Sequence, residues 1–224
     1  MFDGLESVYK NYPASMSRLA QKWIEVGIIT GIRPNEWKNT KIRGNVSDFY
    51  YSENHDQVLR MVVQNAKYSK GKNRSNGKHR TLIMTSLSEQ DIIKILDFNS
   101  LLQKHIKTKG GFEEIYYSVR KCLYYANQKT LPKSSKYITL YSARHQFVSD
   151  RKSMNEHPAY TAALLGHASI KTAQSTYGRK TSGKSRFSKV IPLDTDVKNI
   201  LKNTPKSIMN EINRFSFKPT PIEQ

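Results

Sequence analysis

Cysteine is almost missing from this chain of 224 residues: Cys122 stands alone, so it forms no internal disulfide and no cysteine-built zinc site. The six histidines are scattered and suggest no metal-ligand cluster, so neither a metal nor a cofactor is expected. Long apolar runs are lacking too, and nothing approaches the roughly 20 residues that cross a bilayer. The start, MFDGLESVYK, has neither the basic opening nor the apolar stretch of a secretion signal. The expected location is therefore cytoplasmic, with no membrane partner. A phosphate-cradling P-loop is absent: Gly71 and Gly77-Lys78 have the wrong separation, and His79 stands where Ser or Thr is needed. Internal repeats and coiled-coil heptads are not found either.

Carboxylates are scarce. Against 37 Lys and Arg there are only 18 Asp and Glu, which leaves a formal charge of +19 and a pI near 9.9. Such an excess favours a polyanionic partner. Nucleic acid ranks before a membrane surface, because no Lys/Arg-rich helix with a broad apolar face is evident. A ribosomal-type or merely soluble basic protein would carry the same charge. The length suits one or two domains and is enough to bury a good core.

Along the chain, residues 1–14 read as a lead-in running past Pro13. Met16, Leu19, Ala20, Trp23, Ile24 and Ile28 then recur at helical spacing, with Ser15 as N-cap and Gly31 near the end. Pro34 is placed to open another helix. Residues 58–63 and 80–84 are β-prone, and between them lies NAKYSKGKNRSNGKHR, residues 65–80, rich in Gly and Asn and free of carboxylates. It reads as a long hairpin tip whose charges are mostly those of a solvated loop. Ser88 and Asp91 form a capping pair ahead of Ile92, Ile95, Leu96 and Leu102, a helix that Gly110-Gly111 can end. Ile115, Val119, Leu123 and Ala126 mark a further apolar stripe, and residues 131–136 a connecting loop. Between 194 and 215, Val197, Ile200, Leu201, Ile208 and Ile212 fit one or two short helices interrupted at Pro205, before a loose end, KPTPIEQ.

Three stretches carry chemistry. Residues 164–179, LLGHASIKTAQSTYGR, bring an apolar helix end and a Gly to His167, then ten residues on to Tyr177. Residues 30–36 read Thr-Gly-Ile-Arg-Pro-Asn-Glu, and residues 141–147 Tyr-Ser-Ala-Arg-His-Gln-Phe. Taken singly, each has an ordinary explanation. A lone His or Tyr sits at many helix ends, Arg33 reads as a surface charge, Glu36 as a first-turn carboxylate favoured by the helix dipole, and Arg144-His145 as a helix-surface pair.

Together and in this order, they resemble the boxes of the tyrosine recombinases, the phage-type integrases. T-G-x-R-P-x-E is similar to the family's first arginine box, and Leu-Gly-His with its later Tyr to the C-terminal signature. Tyr141-x-x-Arg144-His145 resembles the second box, H-x-x-R-H, but has Tyr at the first position. The resemblance covers roughly residues 15–179. It implies a mainly α fold with a small antiparallel β-sheet, and DNA cleaved through a 3′-phosphotyrosyl link. Arg33 and Arg144 would clamp the scissile phosphate, His167 would add a donor and Tyr177 would be the nucleophile. A strand-borne Lys before the hairpin turn would protonate the leaving oxygen. Lys67 fits that place best, with Lys72 and Lys78 in reserve. Tyr141 can hydrogen-bond a phosphate oxygen, but a phenol with a pKa of ~10 is a poorer base than imidazole. Lys70, Lys72, Arg74, Lys78 and Arg80 from the hairpin, and Arg179 and Lys180 after the nucleophile, are the expected DNA contacts.

The residue types suit the chemistry. Two arginines offer permanently charged planar forks that match the non-bridging phosphate oxygens. Preorganised donors of this kind are worth roughly 3–4 kcal/mol each in comparable sites. A phosphotyrosine conserves the bond energy for religation, and a Lys general acid spares the 5′-oxygen from leaving as an alkoxide. The expected organisation is a lead-in (1–14), a catalytic domain (15–190) and a helical tail (191–224), the tail a candidate for exchange between protomers. Double-stranded DNA and a homotetramer on paired sites are the implied partners. The family usually carries an N-terminal helical domain as well. Fewer than thirty residues precede Thr30, so an excised domain, a truncated element and a minimal enzyme are all open. Two other readings stand beside this one: a non-cleaving DNA-binding accessory protein on the same scaffold, and an enzyme of the type IB topoisomerase kind.

Overall fold

The computed structural model describes residues 2–11, 16–44, 58–68, 75–133, 135–171, 183–184 and 188–215. The expected N-cap, Ser15, lies outside them. The stretch read as a lead-in is not irregular: α1 (Phe2–Asn11) is a helix that buries Leu5 and packs on later helices.

Helix α2 (Ser17–Thr30) runs through the centre, burying Leu19, Ala20, Trp23, Ile24 and Val26. Trp23 sits among Phe98, Phe112 and Tyr116 at centroid distances of 5.5, 6.0 and 5.9 Å. Tilted and edge-on contacts of this kind add about 0.5–1.5 kcal/mol each beyond the area they bury. The helix stops where Gly31 turns left-handed (φ 65°) and its N–H closes on the Gly27 carbonyl at 2.9 Å. A side chain there would be strained, and its Cβ would strike the ring of Phe147. A short 3₁₀ helix, Pro34–Asn39, follows, and its Trp37 is buried edge-on against Phe98 at 4.8 Å.

The sheet is antiparallel throughout, in the order β1 (Lys41–Arg43), β2 (Arg60–Gln64), β3 (His79–Ile83) and β4 (Ile191–Pro192). In the central pair Val62 faces Thr81 and Gln64 faces His79. Alternation sends Met61 and Val63 of β2, and Arg80 and Leu82 of β3, to the core side.

Helix α3 (Glu89–Thr108) begins as expected, the Ser88 hydroxyl accepting the Asp91 N–H at 3.2 Å. Helix α4 (Phe112–Thr130) buries Ile115, Val119, Leu123 and Ala126. Near its end the buried amide of Asn127 donates to the carbonyls of Leu123 (2.8 Å) and Ile138 (2.7 Å) and accepts the Ile138 N–H (3.1 Å). That pins the following loop to the helix. Helices α5 (Leu140–Ser153) and α6 (Pro158–Leu165) complete the body.

The C-terminal helices, α7 (Asp194–Asn203) and α8 (Lys206–Phe215), are separated at Pro205 as their pattern suggests. Val197 and Ile200 of α7 are buried against Ala159, Ala162 and Ala163 of α6, with Ile208 and Met209 of α8 alongside. Within one chain, the first helix of the stretch expected as a tail (191–224) therefore packs on α6. The fold is mainly helical with a small antiparallel sheet. No helix among the described residues is long and apolar enough to cross a membrane.

Candidate active site

The end of α6 is where the separated stretches meet. Gly166 is left-handed (φ 66°), its N–H bonding the Ala163 carbonyl while the His167 N–H bonds the Ala162 carbonyl, each at 3.0 Å. This paired closure turns the chain sharply and swings His167 back under the helix. A Cβ on Gly166 would collide with the Asn65 amide. The last helical carbonyl, that of Leu165, lies at the negative end of the helix dipole and collects two guanidiniums. Arg144 Nη2 reaches it at 2.9 Å and Arg33 Nη1 at 3.3 Å.

Arg144 comes from α5 and is 0 % exposed. Its Nη1 donates to the Gly31 carbonyl at 2.6 Å, and its Nη2 lies 3.3 Å from Nε2 of His167. A guanidinium only donates, so Nε2 is the acceptor and the imidazole proton sits on Nδ1. Burial, then the charges of Arg144, Arg33, Arg80 and Lys67, push the His167 pKa down to about 2. His167 is therefore neutral at pH 7, a hydrogen-bonding group rather than a cation.

Arg33 follows Gly31 in extended backbone, and Pro34 starts the 3₁₀ turn that brings Glu36 back to it. Glu36 Oε1 accepts Arg33 Nη1 at 2.7 Å and the Ala66 N–H at 3.1 Å. Its Oε2 accepts the Arg33 N–H at 2.9 Å and Arg80 Nη2 at 2.7 Å. Burial alone would raise this carboxyl's pKa. The charge and hydrogen bond of Arg80, with the charges of Arg33 and Arg144, more than offset it and hold the pKa far below the usual carboxylate range. Glu36 is thus the first-turn carboxylate of the 3₁₀ helix and also a buried anion tying three segments together.

Arg80 corrects a sequence expectation. Its charge and place in the hairpin suggest a DNA contact, yet its side chain is fully buried. Nε donates to the Leu164 carbonyl at 2.7 Å, Nη1 to the Asn65 side-chain oxygen, and Nη2 to Glu36. No donor faces the surface for a phosphate. The period-two alternation of β3, which puts Arg80 on the side of Leu82, is the sequence signal of its burial.

Lys67 occupies the turn just beyond β2 and is exposed. The turn is held on both sides: Asn65 bonds the Lys78 carbonyl through its N–H (2.9 Å) and the Asn76 and Gly77 carbonyls through its amide (3.1 and 3.0 Å). Next to it the Ala66 N–H is held by Glu36. Lys67 is near enough to depress the His167 pKa. Lys78 is exposed at the opposite side of the hairpin.

Tyr141 stands one turn before Arg144 on α5. It is 37 % exposed, and its ring meets that of His145 edge-on at 5.5 Å. Burial and then Arg144 lower the His145 pKa. Tyr177, Lys70, Lys72, Arg74, Arg179 and Lys180 lie outside the described residues. Among those that are described, no group of three or more His, Cys, Asp or Glu is arranged to hold a metal ion.

No family model matches the sequence, and no curated protein matches it. Among solved structures the chain is similar to the crystal structure of XerA recombinase, at 19 % identity and a TM-score of 0.42, over 74 % of this chain and 59 % of that one. It thus spans 59 % of that protein's length.

Proposed function

We propose that the chain is a DNA strand transferase of the tyrosine recombinase kind. The observation that supports the reading is the meeting of Arg144 and His167 with Arg33, which lies more than a hundred residues earlier, at the Leu165–Gly166 corner, beside the pinned turn that leads to Lys67. Nothing in ordinary core packing requires two buried arginines and a neutral imidazole at one helix end. Their bonds to carbonyls and to Glu36 hold the two guanidiniums side by side before DNA arrives.

In the reaction, the Tyr177 oxygen bonds to phosphorus and the P–O5′ bond breaks. Arg33 and Arg144 hold the charge gathering on the non-bridging oxygens, and the His167 Nδ1–H adds a neutral donor. Lys67 gives its proton to the departing 5′-oxygen. His167, with a pKa of about 2, is too weak a base for the phenolic proton, which passes to solvent. Because Arg144 is fully buried, the phosphate reaches it only once the chain beside it yields on DNA binding. The net charge supplies a steep, salt-dependent attraction to duplex, and synapsis of paired sites in a tetramer follows from the same reading.

One observation favours a second reading, a non-cleaving DNA-binding protein: that same burial of Arg144. A nicked suicide duplex separates the two, because only a transesterase becomes covalently attached when the short leaving strand diffuses away.

A further inference from the structure

Helix α4, the loop after it and the start of α5, Tyr141 included, line an open groove of about 630 Å³, within the ~300–1,000 Å³ of ligand sites. Its walls are tyrosines. Tyr116, Tyr117 and Tyr124 come from α4, and Tyr137 from the loop. Tyr117 is 62 %, Tyr124 48 % and Tyr137 38 % exposed. Large rings gathered on a surface leave apolar area in water that a partner would cover. Arg120 and Lys121 also line the groove, and no carboxylate does among the described residues. The Arg120 guanidinium lies 5.6 Å from the Tyr116 ring centroid, and Tyr124 meets Tyr137 edge-on at 5.6 Å. Asn127, bonded to both walls, keeps the groove rigid.

We propose that this groove binds a single-stranded stretch of nucleic acid, its unpaired bases stacking on Tyr117, Tyr124 and Tyr137 and its phosphates meeting Arg120 and Lys121. Exposed aromatic faces interleaved with cations are what an unpaired strand needs, since every base has a π-face and every linkage a negative charge. A duplex keeps its bases stacked internally and has nothing to offer the rings. A second copy of the chain, itself carrying +19, brings the wrong charge to a basic groove. The inference does not depend on strand transfer at Tyr177.

The test uses the full chain and an oligothymidylate of about ten nucleotides with 2-aminopurine at its centre, whose emission falls when it stacks. Binding is expected to quench the probe. Tyr117→Ala and Tyr124→Ala are each expected to weaken binding about tenfold and relieve the quench. Tyr117→Phe, which keeps the ring, binds like the parent. Affinity for a duplex of equal length and covalent capture on the suicide duplex stay unchanged, and an unaltered thermal melt shows that the exposed positions do not disturb the fold. Binding without quenching, or alanine variants that bind the oligonucleotide as tightly as the parent, would overturn the proposal. So would self-association of the chain that the same variants abolish, because the groove would then belong to a second copy.

Discussion

Arg80 Nη2 and Glu36 Oε2 lie 2.7 Å apart with neither side chain exposed, joining the middle of the sheet to the turn that carries Arg33. The same carboxylate holds Arg33 at 2.7 Å. Both arginines therefore depend on one buried anion for their charge balance.

Removing one partner of such a set leaves an uncompensated buried charge, which costs about 3–5 kcal/mol. Arg80→Ala is expected to lower stability by that amount in urea unfolding, and Glu36→Gln by a similar amount. Losses below about 1 kcal/mol, the range of exposed pairs, would show that the network is not the structural tie described.

Acid stability follows from the same centre. The folded pKa of His167, about 2, is below its ordinary 6.5. Above pH 6.5 neither folded nor unfolded chain protonates it; as pH falls below 6.5, only the unfolded chain takes up the proton, so stability is lost. The slope contributed is about 1.4 kcal/mol per pH unit once well below 6.5. Glu36, also depressed, adds loss of the same sign below its ordinary 4.5. His167→Gln should flatten the curve between pH 6.5 and 4.5 while leaving the steeper acid limb. An unchanged slope in that window would mean that the imidazole is protonated in the folded state.

The leaving-group role proposed for Lys67 is separable from binding. Lys67→Ala should bind duplex normally and cleave slowly, because the 5′-oxygen departs unprotonated. A 5′-phosphorothiolate substrate, whose thiolate needs no acid, should restore its rate. Rescue confined to Lys72→Ala or Lys78→Ala would move the acid elsewhere in the hairpin.

Truncation distinguishes body from tail. Ending the chain after Asn203 removes α8 and should impair assembly on paired DNA sites more than binding to one duplex. Ending it before Asp194 also strips α7 from the alanines of α6, and removes the Asp196 carbonyl that accepts Asn76 at 3.0 Å. That variant should lose several kcal/mol of stability, seen as a lowered thermal midpoint. Equal midpoints for the two truncations would contradict the packing of α7.

Local chemistry made much of this legible in advance. The Ser88–Asp91 cap, the stop at Gly31, the break at Pro205 and the two central strands all follow from side-chain types acting within a few residues. Arg33 and Glu36 were less legible: the residues alone suggest a surface charge and a first-turn carboxylate, and only the resemblance groups them, although the turn at Pro34 does fold Glu36 back on Arg33. The partners that give Glu36 its meaning lie 30 residues away at Ala66 and 44 away at Arg80, and no local period marks such a pairing. Arg80 shows the limit in the other direction. Its charge argued for solvent, and only the sheet register, with a carboxylate waiting inside, decides for the core.

The proposed reaction joins Tyr177 covalently to DNA. The most direct measurement is capture on the nicked suicide duplex in excess EDTA, followed by digestion and mass mapping of the peptide that carries the nucleotide. The parent chain should give an adduct on Tyr177 without added metal, the arginines supplying the charge. Tyr177→Phe should keep its fold and duplex affinity and give none. An adduct that persists in Tyr177→Phe, or no adduct from a parent chain that binds the duplex, would contradict the assignment.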